Sequence, residues 1–93
     1  KMNNVFLIGK VISDIEYKFI YDRFKNDEND EKYRHIAIAR CHIKLQNNSI
    51  IEIYGYDEMA DKMYRKLKVV DSIFSYGYLD SNGKIEIENF ENV

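Results

Sequence analysis

The chain has no tryptophan, no proline, one cysteine and four glycines among its 93 residues. With no proline and so little glycine, neither a flexible linker nor a low-complexity tail is expected. One cysteine cannot build a disulfide framework or a CxxC metal site, so a reducing, cytoplasmic setting is expected. No apolar run approaches the roughly 20 residues that cross a bilayer. Mean hydropathy is -0.52, and the opening Lys1-Met2-Asn3-Asn4-Val5 lacks the apolar stretch of a secretory signal. Neither a membrane span nor a leader is expected. An excess of one charge is missing too, because 14 basic residues face 16 acidic ones. Two of those bases and four of those acids lie in 25–32, leaving twelve of each sign elsewhere. A polyanion binder held by bulk electrostatics would be strongly basic. Any nucleic-acid contact must therefore use local cations and stacking.

Catalytic motifs are also absent: the chain has no GxGxxG, P-loop, HExxH or GxSxG. His35, Cys41 and His42 are its only soft ligands. Cys41 and His42 are neighbours on an expected strand and so face opposite ways; Cys41 reads as a small buried hydrophobe. The carboxylates Asp27, Glu28, Asp30 and Glu31 lack the spacing and glycine of an EF-hand and read as a solvated loop. No enzyme, cofactor, metal site or small-molecule substrate is expected. A nuclease would need carboxylates converging beside an arginine, an arrangement that sequence alone does not exclude.

What the sequence does have is alternation. Val5 to Ile12 is an apolar, β-branched run too short for a typical helix, and Gly9 within it marks a bulge or bend. Ser13-Asp14 brings turn chemistry, after which Ile15, Tyr17, Phe19 and Tyr21 alternate as an extension of the same strand. Beyond the charged loop 25–32, a second strand from Arg34 to Leu45 splits into two faces. Ala37, Ala39, Cys41, Ile43 and Leu45 suit the core, and Ile36, Ile38, Arg40, His42 and Lys44 face outward. In the third, Ile50 to Tyr56, Ile51 and Ile53 point inward while Glu52, Tyr54 and Tyr56 share the other face. Asp57, a good N-cap residue, opens the one convincing helix, whose stripe is Met59, Ala60, Met63, Tyr64 and Leu67. Its acids precede its bases, as the helix dipole favours. A fourth strand, Ser72 to Leu79, and a fifth, Ile85 to about Asn92, flank the hairpin signal Asn82-Gly83.

Three strands, a helix and two strands spell one domain over 1–93, all-β with one helix. This is the order of an OB-fold, a five-stranded Greek-key barrel with the helix between strands three and four.

The residues also carry a family likeness. Met2-Asn3-Asn4-Val5-Phe6-Leu7-Ile8-Gly9-Lys10-Val11, followed by Asp14 and Glu16, resembles the opening of bacterial single-stranded DNA-binding (SSB) proteins. Ile51-Glu52-Ile53-Tyr54-Gly55 resembles their third-strand ending, Glu58 to Leu67 their amphipathic helix, and Ser72 to Leu79 their fourth strand. The likeness spans 2 to about 92 with gaps. The departures imply a trimmed member closer to short primosomal, plasmid or phage OB proteins. Loops are shortened, the proline of Asp-Pro-Glu is Ile15, DNA-facing tryptophans have no counterpart, and a member without the Pro/Gly-rich linker and its acidic tip is expected. The resemblance implies single-stranded DNA as partner, roles in replication, repair and recombination, and a homodimer or homotetramer formed through the first strand.

Single strands are held by bases stacking on rings, worth roughly 1–3 kcal/mol per base, while cations follow the phosphates. Tyr54 sits at the family's aromatic-Gly position, with Tyr56 two residues on. Phe74, Tyr76 and Tyr78 form a second alternating row, which either stacks bases, packs beneath the helix or seals a subunit interface. The expected stacking set is Tyr54, Tyr56, Phe74 and Tyr78, and the expected phosphate partners are Lys10, Arg40, Lys44 and Lys84. Arg40 leads the cations because its strand sets it beside His42 and Lys44. Glu52, Glu86 and Glu88 oppose phosphate if they share the groove. Balanced charge and short loops support the alternative, an OB-fold adaptor that binds protein with little or no DNA binding.

Overall fold

Alternation becomes sheet. In the computed structural model, which describes residues 3–23 and 33–93, the order is β1 (Asn4–Val11), β2 (Glu16–Arg23), β3 (Tyr33–Leu45), β4 (Ile50–Tyr56), α1 (Glu58–Lys66), β5 (Ser72–Leu79) and β6 (Ile85–Asn92). The expected charged loop 25–32 lies outside the described residues. One sheet runs β1-β5-β6-β4-β3-β2, and an added β1–β3 pairing closes five of these strands into a barrel. The closure between β4 and β6 is parallel and short, through Ile53↔Ile85 and Tyr54↔Glu86; every other pairing is antiparallel. Counted by hydrogen bonding, the expected strand extension is the separate strand β2, so the helix falls between β4 and β5.

β1 and β2 share one edge of β3. Val11 pairs with Ile43 and Glu16 with Arg40, so residues 12–15 oppose only Cys41 and His42. Two surplus residues are thus inserted at the expected Ser13-Asp14 bend. The insertion is pinned, because His42 N–H donates to Ser13 Oγ at 2.8 Å and Ile12 N–H to His42 C=O at 3.0 Å.

The inward residues fill the barrel: Ala37, Ala39, Cys41 and Ile43 of β3, Ile53 of β4, Ile73 of β5, and Ile85, Ile87 and Phe90 of β6 are all buried. Burial pushes the Cys41 thiol up to about 12, with the Glu52 charge adding to the effect. The helix plugs one end with Ala60, Met63 and the adjoining Leu67. Gly55 makes room for it, since a Cβ there would come within 2.6 Å of Met59 Cγ.

Two local expectations need correction. Tyr64 does not join the buried helix stripe: it is exposed, and its ring lies 5.1 Å from that of Tyr17. Asp57 occupies the N-cap position but its side chain caps nothing in the helix. It has φ 50°, and its Oδ1 accepts from Ala37 N–H at 3.3 Å, fastening the helix start to β3 instead. The expected β5–β6 hairpin at Asn82-Gly83 is present, with Gly83 at φ 76°. Asp80 organises it, accepting from the backbone N–H of Asn82 and Lys84 through Oδ1 at 2.8 and 3.0 Å.

Candidate nucleic-acid interface

Register places one residue from every strand in a single line across the outer wall. Asn4 pairs with Tyr78, Tyr78 with Glu86, Glu86 with Tyr54, Tyr54 with Arg40, and Arg40 with Glu16. Neighbouring strands lie about 4.8 Å apart, so Tyr54 and Tyr78 stand roughly 10 Å from each other with Glu86 between them. Gly77 makes the β5–β6 junction this tight. A Cβ there would sit 2.0 Å from Glu86 C=O, beside a register shift that leaves Glu88 as the surplus residue.

Carboxylates hold the rings of this line in place. Tyr54 is half-buried, and its hydroxyl donates to Asp80 Oδ2 at 2.7 Å. Burial and that bond raise the Tyr54 hydroxyl well above its ordinary value, and the same bond lowers the Asp80 carboxyl, helped by Lys84 N–H. Tyr78 donates to Glu88, which raises its hydroxyl likewise. Tyr56 is exposed and stands edge-on to Tyr54, with centroids 5.7 Å apart at 78°. The sequence-expected rings Tyr54, Tyr56 and Tyr78 therefore come together. Phe74 and Tyr76, whose destination the alternation left open, also face outward and do not lie beneath the helix. They form a second patch with Phe6, at 6.1 and 5.7 Å between centroids, joined by Ile8 opposite Phe74.

The four expected cations divide into two kinds. Arg40 Nε is 2.6 Å from Glu16 Oε1, and Lys84 Nζ is 3.2 Å from Glu52 Oε2, the other oxygen of which lies 3.7 Å from His42 Nε2. Those two are partly neutralised. Lys10 and Lys44 oppose each other directly across β1 and β3, are both exposed, and have no ion-pair partner among the described residues. Like charges facing across a strand pair repel, and an anion seated between them would relieve the repulsion.

One feature escaped the sequence reading. Tyr17, Phe19 and Tyr21 of β2 face away from Arg40 and meet His35 and Tyr64, with centroid separations of 4.7 to 6.4 Å. Phe19, Tyr21 and Tyr64 remain exposed. Their alternation in sequence was the signal; Tyr64 gave none, because its helical spacing mimicked core. Among the described residues no three His, Cys, Asp or Glu side chains converge as a metal site, and no helix is long and apolar enough to cross a membrane.

No protein-family model matches this sequence, and no curated protein matches it. Solved structures do. The single-stranded DNA binding protein from Thermus aquaticus superposes with a TM-score of 0.74 at 17% identity, over 99% of this chain and 40% of that one. The SSB domain of a Synechococcus protein gives 0.70 at 11% identity, over 98% and 96%. The protein priB from Ralstonia solanacearum gives 0.69 at 13%, over the whole of both chains. The chain has the fold of the bacterial SSB-type proteins. At such identities the likeness is one of fold, and it agrees with the barrel and helix placement expected from the sequence. This SSB-type barrel spans less than half of the Thermus protein's length, but nearly all of the Synechococcus domain and of priB.

Proposed function

We propose that the chain binds single-stranded DNA without strong sequence preference on the outer wall of its barrel. The observation that carries this reading is the line Tyr78–Glu86–Tyr54–Arg40, which sets two carboxylate-fixed rings and a guanidinium on one surface. Tyr54, Tyr56 and Tyr78 offer π-faces to bases. Lys10 and Lys44 are the principal phosphate contacts, with Arg40 and Lys84 supplementing them. Similarity to SSB-type structures supports the same ligand. The role is binding and not chemistry, in replication, repair or recombination. The test is tyrosine fluorescence during titration with oligo-dT at low salt: quenching that weakens with added salt supports the reading, and no quenching at any salt overturns it.

The chain self-associates through β1, as a homodimer or homotetramer. Asn4 to Ile8 pair with β5, but among the described residues pairing with β3 begins at Gly9, so the other edge of that stretch is open. Phe6 and Ile8, 68% and 52% exposed, flank it, and such an edge is normally covered. The Phe6, Phe74 and Tyr76 patch adjoins this contact. Sedimentation as a monomer at high concentration would refute it. The ion pairs of Arg40 and Lys84 favour a second reading, a protein-binding adaptor of the same fold, which predicts no quenching by any oligonucleotide.

A further inference from the structure

A groove of about 360 Å3 opens where β4, β5 and β6 meet the start of α1, lined by Tyr56, Met59, Tyr78, Glu86, Ile87 and Glu88. Its volume falls in the range of small-ligand clefts, roughly 300–1,000 Å3. Two phenol rings and two apolar side chains suit a flat heterocycle. The two carboxylates are the wrong sign for a phosphate path, which is why their position calls for another explanation. Both are fixed by the β5–β6 junction: Glu86 pairs with Tyr78 and with Tyr54, and Glu88 is the surplus residue of the register shift.

We infer that this groove seats one nucleobase and selects for bases that carry an amino group, guanine above all, over thymine. The inference rests on the single-stranded DNA reading and adds base discrimination to it. An ionised carboxylate only accepts hydrogen bonds, and it has about four lone-pair sites to do so. Tyr78 donates to Glu88 through one of them, which orients the carboxylate and leaves capacity for a base. Guanine presents N1–H and its 2-amino group side by side, matching both oxygens of one carboxylate. Cytosine and adenine each present an exocyclic amine, and acidic side chains accept from cytosine N4 in known readout geometry. Thymine offers one N3–H between two carbonyl oxygens, so a carboxylate reaching that proton also faces an acceptor. Phosphates meanwhile follow Lys10, Lys44 and Arg40, on strands each two places from the one that carries Glu86 and Glu88.

The test uses the full chain, with labelled short thymidine oligomers titrated at constant low salt against the same oligomers carrying one central dG or dC. The native chain should bind the dG oligomer about fivefold or more tightly than the all-thymidine one, the lower end of a carboxylate–base contact. Glu88→Gln and Glu86→Gln should shrink that ratio, while affinity for plain thymidine holds or rises as a repelling charge is lost. Equal binding of dG and thymidine oligomers by the native chain overturns the proposal. So does a variant that gains affinity equally for every oligomer, since the carboxylates then only repel. If no oligomer binds at all, the single-stranded DNA reading fails first and takes this inference with it.

Discussion

Tyr54 is the residue at which binding and stability can be pulled apart. Its hydroxyl donates to Asp80 at 2.7 Å, and its ring meets Tyr56 at 5.7 Å. Tyr54→Phe removes the bond but keeps the ring. Asp80 retains the N–H groups of Asn82 and Lys84, so the loss of stability should be about 0.5–1.5 kcal/mol, that of one hydrogen bond. Binding of oligo-dT should stay within about twofold of the native chain, because stacking needs only the π-face. Tyr54→Ala removes the face. The forfeited stacking, roughly 1–3 kcal/mol, corresponds to about 5-fold to 150-fold in Kd. Fluorescence anisotropy of labelled oligo-dT at low salt reads the affinities, and urea melts confirm that both variants are folded. A folded Tyr54→Ala chain that binds within twofold of native refutes stacking at this position. Acid adds a second readout. The Tyr54 hydroxyl first, then the N–H of Lys84, hold the Asp80 carboxyl below its usual value of about 3.9. A depressed carboxyl contributes stability above that unfolded value and loses it as pH falls through the folded one. The stability gap between native and Tyr54→Phe should therefore close below about pH 4.

Other consequences are as direct. With Lys10, Lys44, Arg40 and Lys84 as phosphate contacts, log K against log salt should have a slope of about -3, at roughly 0.7 per contact on single strands; Lys44→Ala should flatten it by about 0.7, and an unchanged slope would remove Lys44 from the interface. Gly77→Ala should cost about 3 kcal/mol or more by urea denaturation or prevent folding, because its Cβ would lie 2.0 Å from Glu86 C=O. A native-like melt for that variant would contradict the close strand approach. Val70 is a β-branched residue at φ 74°, 69% exposed, so Val70→Gly should stabilise by about 0.5–1 kcal/mol, the relief of left-handed strain less the added chain entropy. A lower urea midpoint would show that the strain is not there.

Strand positions and faces were legible in the sequence because each is a period-2 pattern with one face buried. Ala37, Ala39, Cys41 and Ile43 announce the inside of β3 by being small or apolar at every second place, and all four are buried. The same rule placed Tyr54 and Tyr56 outside, while it left the destination of the Phe74–Tyr78 row open. It stayed silent where a contact joins residues far apart in sequence. Arg40 looked like the leading cation on its own strand, and nothing local revealed that Glu16, 24 residues earlier, sits 2.6 Å from it. Tyr64 was misplaced because helical spacing marks a face without saying how far the core extends along it. Asp57 has the chemistry of a cap, but its left-handed backbone turns the carboxylate toward β3. The Asn82-Gly83 hairpin was found by its glycine, while its geometry is set by the Asp80 carboxylate two residues earlier.

The surplus between β1 and β2 amounts to two residues, and the even number matters. Because side chains alternate, a pair of added residues offsets the chain along β3 without rolling it over. Val11 and Tyr17 accordingly point to the same side although the pairing has slipped between them. Removing one residue from 12–15 would roll the whole β2 ribbon by half a turn, trading Tyr17, Phe19 and Tyr21 for Glu16, Lys18 and Ile20 on the helix side. Removing two would leave every ring where it is. The joint thus works as a ratchet with a two-residue tooth, along which this arm can be shortened or lengthened while its chemistry stays the right way up.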